Sequence, residues 1–111
     1  FLANPHWEPS LRALDGRDKA VVAYIAKDPR YADFMAKLQD LILMLLPAHQ
    51  QEGKAHLSIG IGCTGGQHRS VAVAENLAKV LADAGWPVSK RHRELERKAA
   101  VPGTGMRVAD A

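Results

Sequence analysis

The residues between 62 and 70 of this 111-residue chain bring together groups that can bind an anion. Two adjacent glycines, Gly65 and Gly66, let the backbone approach a ligand closely and adopt positive φ. Arg69 can clamp an anion through paired hydrogen bonds, and a threonine and a serine hydroxyl nearby can donate to its oxygens. An apolar-periodic segment follows, so we expect the loop to open a helix with unpaired N–H groups in its first turn. The natural ligand is an anion of phosphate size, although the spacing is not that of a Walker loop.

The same loop also leaves an enzymatic alternative open. Cys63 and Arg69 form the pattern Cys-x5-Arg followed by a serine, which cysteine-dependent phosphatases use to attack a phosphomonoester. Those enzymes usually place a histidine before the cysteine, where this chain has Gly62. Asp15 and Asp18 are candidates for a general acid, but nothing in their spacing supports either. The competing interpretation is that Cys63 is a small packed thiol.

A histidine in the N-terminal segment is a second candidate for the anion site. His6 stands in the sequence Asn4-Pro5-His6-Trp7, and a segment there could reach the loop from a neighbouring strand end. The five histidines show no spacing typical of a metal site, so we expect no metal.

Positive charge is concentrated in the second half of the chain. The first fifty residues carry equal numbers of acidic and basic side chains, so the remainder accounts for the net charge of +3. A basic cluster of this kind can attract phosphates or RNA, although a solvated surface with ion pairs is the simpler interpretation. The cluster consists of Lys90, Arg91, Arg93, Arg97 and Lys98.

Apolar periodicity predicts three helices. The first is short and begins after Asp18, the second covers 31–46 and is stopped by Pro47, and the third covers 69–84 with Gly85 as its C-cap. The inner face of the second helix is predicted to comprise Phe34, Leu38, Leu41 and Leu45, widened by Met35 and Ile42.

Two further segments have the pattern of strands. Apolar residues alternate with small ones over 57–61, and a second extended segment covers 88–92. The order of strand, helix and strand is that of a βαβ unit with parallel strands and a right-handed crossover. We therefore predict an α/β fold, a small parallel-sheet domain with two additional helices, whose loop lies at the carboxyl end of a strand.

Composition limits the other possibilities. With 47% apolar and 24% charged residues, the chain is typical of a globular domain, and one cysteine excludes a disulfide framework. The longest apolar run, 41–46, is far shorter than the ~20 residues of a membrane span. Since Phe1 is no initiator methionine and no signal-peptide pattern is present, we expect a piece of a longer, cytoplasmic protein.

Three motifs in order make the chain resemble the C-terminal domain of the RapZ family of RNase adaptor and nucleotide-binding proteins. The resemblance covers residues 1 to about 98. The motifs are Asn4-Pro5-His6-Trp7 with Leu11-Arg12 and Gly16, then Ile61-Gly62-Cys63-Thr64-Gly65-Gly66-Gln67-His68-Arg69-Ser70, and finally Arg91-His92-Arg93-Glu94-Leu95-Glu96.

The resemblance implies a non-catalytic sensor and adaptor domain. Family members carry an N-terminal kinase-like domain with a Walker loop for ATP or GTP, which these 111 residues lack. Their C-terminal domain, similar to a phosphofructokinase subdomain, senses glucosamine-6-phosphate, binds small regulatory RNA and presents it to an endoribonuclease. Assembly is through homo-oligomers, and the domain itself needs no cofactor.

Residue roles implied by the resemblance follow the motifs. His6, Thr64, Gly65 and Arg69 match positions that bind the sugar phosphate, and the other loop residues are expected to shape the pocket: Cys63, Gly66, Gln67, His68 and Ser70. The expected RNA-binding residues are Arg69 and the basic cluster. Gln67 stands where many members carry a basic residue. We expect the domain to cover 1–100 and 101–111 to be a flexible tail.

Overall fold

The computed structural model describes residues 1–99. The expected flexible tail therefore lies outside the described residues. The elements in chain order are a 3₁₀ helix Pro5–Trp7, then α1 Lys19–Ala26, α2 Arg30–Gln51, α3 Arg69–Asp83 and α4 Arg93–Ala99. In this described part, no helix has the length and apolar character needed to cross a membrane.

The predicted α/β fold is wrong, because residues 1–99 contain helices but no β-strand. Both segments predicted as strands, 57–61 and 88–92, lack regular secondary structure, and no backbone hydrogen bond joins them. Because these residues form no sheet, the expected βαβ unit and the expected similarity to a phosphofructokinase subdomain are wrong as well. Isolated extended segments are not stable as a sheet without paired neighbours.

Side chains rather than a hydrogen-bond ladder hold these two segments in place. Ile61 packs against the core while Ile59 is 39% exposed. In the other segment, Lys90 and His92 reach the Glu75 carboxylate on α3 at 2.9 and 2.6 Å. Of the alternating apolar residues Leu57, Ile59 and Ile61, Ile61 packs against the core, so the alternation predicted neither a continuous buried face nor backbone pairing.

The core lies among the first three helices. α1 contributes Val21 and Ile25, both with no exposed surface, and α3 contributes Leu77 and Leu81 among others. The inner face of α2 is rotated from the predicted one. Its buried members are Tyr31, Met35 and Ile42, whereas Phe34 and Leu38 are partly buried and Leu41 and Leu45 are exposed.

Pro47 does not end α2, contrary to prediction. The proline lacks one N–H donor, but the helix continues for another turn to Gln51. It ends where Gly53 adopts φ +79°, with the N–H groups of Gly53 and Lys54 donating back to the carbonyls of Gln50 and His49. A left-handed glycine closed by these two bonds is a Schellman motif.

The end of α3 has the same geometry and was predicted correctly. Gly85 has φ +94°, and the Trp86 N–H donates to the Leu81 carbonyl at 3.1 Å. Trp86 also packs against the core, as the residue after a Schellman glycine commonly does.

Candidate functional site

The solvent exposure of the loop before α3 changes within a few residues. Thr64 and Gly65 are exposed, whereas His68 and Ser70 are buried. Gly66 lies between them at φ +65°, a backbone conformation that favours glycine. α3 begins at Arg69, as predicted, so the loop ends on the first turn of a helix.

The Cys63 thiol lies inside this loop. The Ser70 N–H donates to its sulfur at 3.4 Å, and the Ser70 hydroxyl lies 3.2 Å from the same atom. Burial raises the pKa of the Cys63 thiol, but hydrogen bonds from Ser70 and the Gly66 backbone, together with the Arg69 charge, outweigh burial and lower the pKa below its usual value.

The exposed side of the loop keeps free donors. Among residues 1–99, the backbone N–H groups of Thr64 and Gly65 have no protein acceptor. No atom lies within 4 Å of the place where a side chain on Gly65 would begin, so this side of the loop is open. Arg69 makes one long hydrogen bond, 3.5 Å from its Nη1 to the Leu2 carbonyl. Most of its donors are thus left for another group.

His6 reaches the loop only indirectly. Its side chain is exposed and packs edge-on against the Trp7 ring. Its carbonyl accepts a hydrogen bond from Arg12 Nε at 2.9 Å, and the Arg12 carbonyl in turn accepts one from Gln67 Nε2 at 3.0 Å. A chain of hydrogen bonds thus connects the His6 backbone to the loop, and contact of the His6 side chain with a ligand stays a prediction.

Gly16 brings the N-terminal segment against the start of α3. Its N–H donates to the Gln67 carbonyl at 2.9 Å. A methyl group on its Cα would lie 2.3 Å from the backbone nitrogen of Ala72 and from the carbonyl oxygen of His68. Only glycine permits this approach.

α4 lies against the opposite side of the loop. A side chain on Gly66 would meet Glu94 Cβ at 2.8 Å, and the Lys98 ammonium donates to Gln67 Oε1. α4, which carries part of the basic cluster, and the loop predicted to bind an anion are thus in contact.

Acidic residues partly neutralise the basic cluster. Lys90 pairs with Glu75 at 2.9 Å, Arg91 with Glu96 at 3.2 Å, and Arg97 with Glu94. The Arg91–Glu96 pair is partly buried, whereas the arginine of the Arg97–Glu94 pair is exposed, and pairs with such exposed cations contribute little free energy. Of the predicted RNA-binding cations in the described chain, Arg93 is exposed and has no acidic or polar partner.

Neither candidate for the general acid of the phosphatase alternative is hydrogen-bonded to Cys63. The Asp15 carboxylate is bound by Arg17 at 2.8 Å, which lowers its pKa and keeps it ionised. Asp18 accepts a hydrogen bond from the Asp15 backbone. Neither carboxylate contacts Cys63.

Two structural residues of the site escaped prediction. Glu75 anchors the segment 88–92, and Arg12 holds the His6 carbonyl. Both act over distances along the chain that local spacing does not reveal. Across residues 1–99, no three side chains of His, Cys, Asp or Glu gather in a way that could hold a metal ion.

Comparison with known proteins gives consistent matches. The family model described as the RapZ C-terminal domain matches residues 1–96. The chain is 74% identical over 100 residues to a nucleotide-binding protein of Cereibacter sphaeroides, covering 90% of this chain and 33% of the relative. It is 64% identical to a nucleotide-binding protein of Ruegeria pomeroyi, covering 88% and 34%, and 57% identical to one of Dinoroseobacter shibae, covering 89% and 33%.

These relatives are about three times as long as this chain, which spans about a third of their length. The family match takes in the loop, the N-terminal segment with His6 and most of α4. The chain therefore belongs to the RapZ C-terminal domain family.

Proposed function

We propose that this domain is a non-catalytic sensor that binds a sugar phosphate of the glucosamine-6-phosphate type at the loop 63–70. The observation that carries the proposal is the pair of free, exposed N–H groups of Thr64 and Gly65 beside the Arg69 guanidinium at the first turn of α3. Backbone donors, a helix dipole and a guanidinium together favour a phosphate group.

The N-terminal segment supports a ligand larger than phosphate. His6 and Trp7 are exposed, and Arg12 and Gln67 tie their segment to the loop. An imidazole and an aromatic ring near a phosphate site can contact the hydroxyl groups and the C–H face of a sugar.

The names of the relatives fit a longer protein in which different domains bind different ligands. They are called nucleotide-binding proteins, and this chain corresponds to about a third of their length. We propose that ATP or GTP binds to the remaining part of such a protein, and that the domain described above senses the phosphosugar. A sensor of this kind would work in the cytoplasm, where sugar phosphates are found.

Calorimetric titration with glucosamine-6-phosphate in phosphate-free buffer tests the proposal. Replacement of Arg69 by alanine removes charge-assisted hydrogen bonds worth about 1.5–3 kcal/mol, so affinity should fall roughly tenfold to a hundredfold. Lys79→Ala is the matched control, because it removes one positive charge from the far end of the same helix. Equal affinity of the wild type and Arg69→Ala would refute the clamp.

Two further ligands test separately the contributions of the phosphate group and of the sugar to binding. Inorganic phosphate should bind more weakly than glucosamine-6-phosphate and should also depend on Arg69. Glucosamine without phosphate should not bind measurably. If neither phosphate nor glucosamine-6-phosphate bound to the wild type, the proposed function would be wrong.

RNA binding by the basic cluster is a second candidate function. The exposed and unpartnered Arg93, at the start of α4, favours it, together with weak ion pairs that phosphates can replace. In this proposal the domain presents a small regulatory RNA to an endoribonuclease and works as a homo-oligomer. The exposed apolar face of α2, formed by Leu41, Met44 and Leu45, supports self-association.

A further inference from the structure

Both polar atoms of the Gln67 side chain, Nε2 and Oε1, form hydrogen bonds within the protein. Its Nε2 donates to the Leu14 carbonyl at 2.7 Å and to the Arg12 carbonyl at 3.0 Å. Its Oε1 accepts from Lys98. An amide nitrogen carries two hydrogens, so both donors are engaged, and the His68 ring nitrogen at 3.5 Å is a more distant neighbour.

These bonds join three elements at one residue. The N-terminal segment is held through the two carbonyls and through the Gly16 N–H, which donates to the Gln67 carbonyl at 2.9 Å. Arg12 Nε in turn donates a hydrogen bond to the His6 carbonyl, which connects His6 to Gln67. α4 is held through Lys98 on the other side.

We propose that Gln67 is a positioning residue, which holds the N-terminal segment that carries His6 against the loop 63–70 without touching the ligand. The inference rests on the proposed function, because it concerns the sugar-phosphate site. The amide groups of the Gln67 side chain are already bonded to protein, and the bonds of its Nε2 lead to the segment that carries His6.

Comparison of two ligands distinguishes positioning from direct contact. Inorganic phosphate reaches only the loop, whereas glucosamine-6-phosphate also reaches His6. Gln67→Met, which keeps the length but removes the polar groups, should weaken glucosamine-6-phosphate binding about three- to tenfold, the effect of one or two hydrogen bonds. It should change the affinity for inorganic phosphate less than about twofold.

A double-mutant cycle tests the path to His6. His6→Ala should weaken glucosamine-6-phosphate binding in the wild type but add little in the Gln67→Met background, because the two losses share one cause. Arg12→Met is the milder second variant: Arg12 is exposed, so its loss should leave the fold intact. It should reproduce the selective loss of sugar-phosphate affinity.

Lys98→Met is the control for the other side of Gln67. It removes the bond to α4, so hydrogen exchange in α4 should accelerate, whereas Lys79→Ala at the far end of α3 should change neither this exchange nor glucosamine-6-phosphate affinity. A parallel loss of both ligands in Gln67→Met would identify a direct phosphate contact and overturn the inference. Unchanged glucosamine-6-phosphate affinity in both Gln67→Met and Arg12→Met would overturn it as well. Absence of binding by the wild type would instead refute the proposed function.

Discussion

Gly16 and Ala72 are in backbone contact: a methyl group on the Gly16 Cα would lie 2.3 Å from the Ala72 nitrogen. The contact joins the N-terminal segment to the first turn of α3, and the atoms it would displace belong to the backbone. No side-chain rotation can relieve such a clash, so the two elements would have to move apart.

Gly16→Ala should therefore destabilise the domain by about 1–3 kcal/mol, the usual cost of overpacking. Thermal unfolding should show a melting temperature lower by roughly 4–8 °C for each kcal/mol. Gly60→Ala is the matched control, since no atom lies within 4 Å of its added methyl group. Equal melting temperatures for both variants would contradict the backbone contact.

Ser70→Ala should raise the pKa of the Cys63 thiol. The hydroxyl stabilises the thiolate, so its loss leaves burial less opposed. The rate of alkylation by iodoacetamide, followed against pH, reports on the single cysteine of the chain, and its midpoint should move to higher pH. Ser58→Ala, on the exposed segment before the loop, should leave the midpoint unchanged.

Acid should weaken the connection between α1 and α2. Arg30 donates from its side chain and its backbone to Asp28, which lowers the pKa of that carboxyl from 3.8 to about 2. A lowered pKa stabilises the fold above the unfolded value, so this contribution is complete above about pH 4 and is lost as the pH falls towards about 2.

Asp28→Asn isolates that contribution. The variant should be less stable than the wild type near neutral pH, and the difference should shrink as the pH falls towards about 2 and vanish below it. Urea unfolding at a series of pH values measures it. Asp33→Asn is the control, because the Asp33–Lys37 pair is exposed and should matter little. A difference independent of pH would argue against the Arg30 contact.

Loss of Arg93 should reduce the salt dependence of RNA binding. Arg93 has no ion pair to break before it binds a phosphate. Its loss should therefore remove one phosphate contact, and Arg93→Ala should lower the slope of log affinity against log salt by about 1. Retardation of a structured small RNA at several salt concentrations measures the slope. Lys37→Ala, on α2, removes an equal charge elsewhere and should leave it unchanged.

Met44→Glu should shift the protein towards the monomer. Met44 is 64% exposed in the apolar face of α2, and burial of a carboxylate in an interface is costly. Sedimentation velocity at several concentrations measures association. Gln51→Glu adds the same charge to an exposed position of the same helix and should have little effect. A wild type that is monomeric at every concentration would refute self-association of this domain.

The helices followed from local sequence more reliably than the rest of the fold. α1 and α3 were predicted because apolar periodicity coincides with end signals, Asp18 before one and Gly85 after the other. The length of α2 was underestimated because Pro47 removes only one hydrogen bond, whereas Gly53 supplies the left-handed residue that ends the helix.

The strands were predicted wrongly because the alternation of apolar and small residues describes the side chains and does not describe the hydrogen-bond partners of the backbone. Ile61 does face the core, but whether a backbone partner lies beside it depends on residues far along the chain. The same limit applies to the site. The glycine-rich turn and the start of α3 are local and were predicted, whereas the bonds of Gln67 to Arg12 and of Glu75 to His92 connect separate segments.

Position 66 also sets the separation between two candidate ligand surfaces. Because Gly66 has no side chain, Glu94 can rest directly on the loop, and the basic residues of α4 stay within reach of the anion site. A larger residue there would act as a spacer, widening the gap between a small metabolite and a nucleic-acid strand bound side by side. The absence of a side chain at Gly66 would thus allow both of the proposed ligands to bind next to each other.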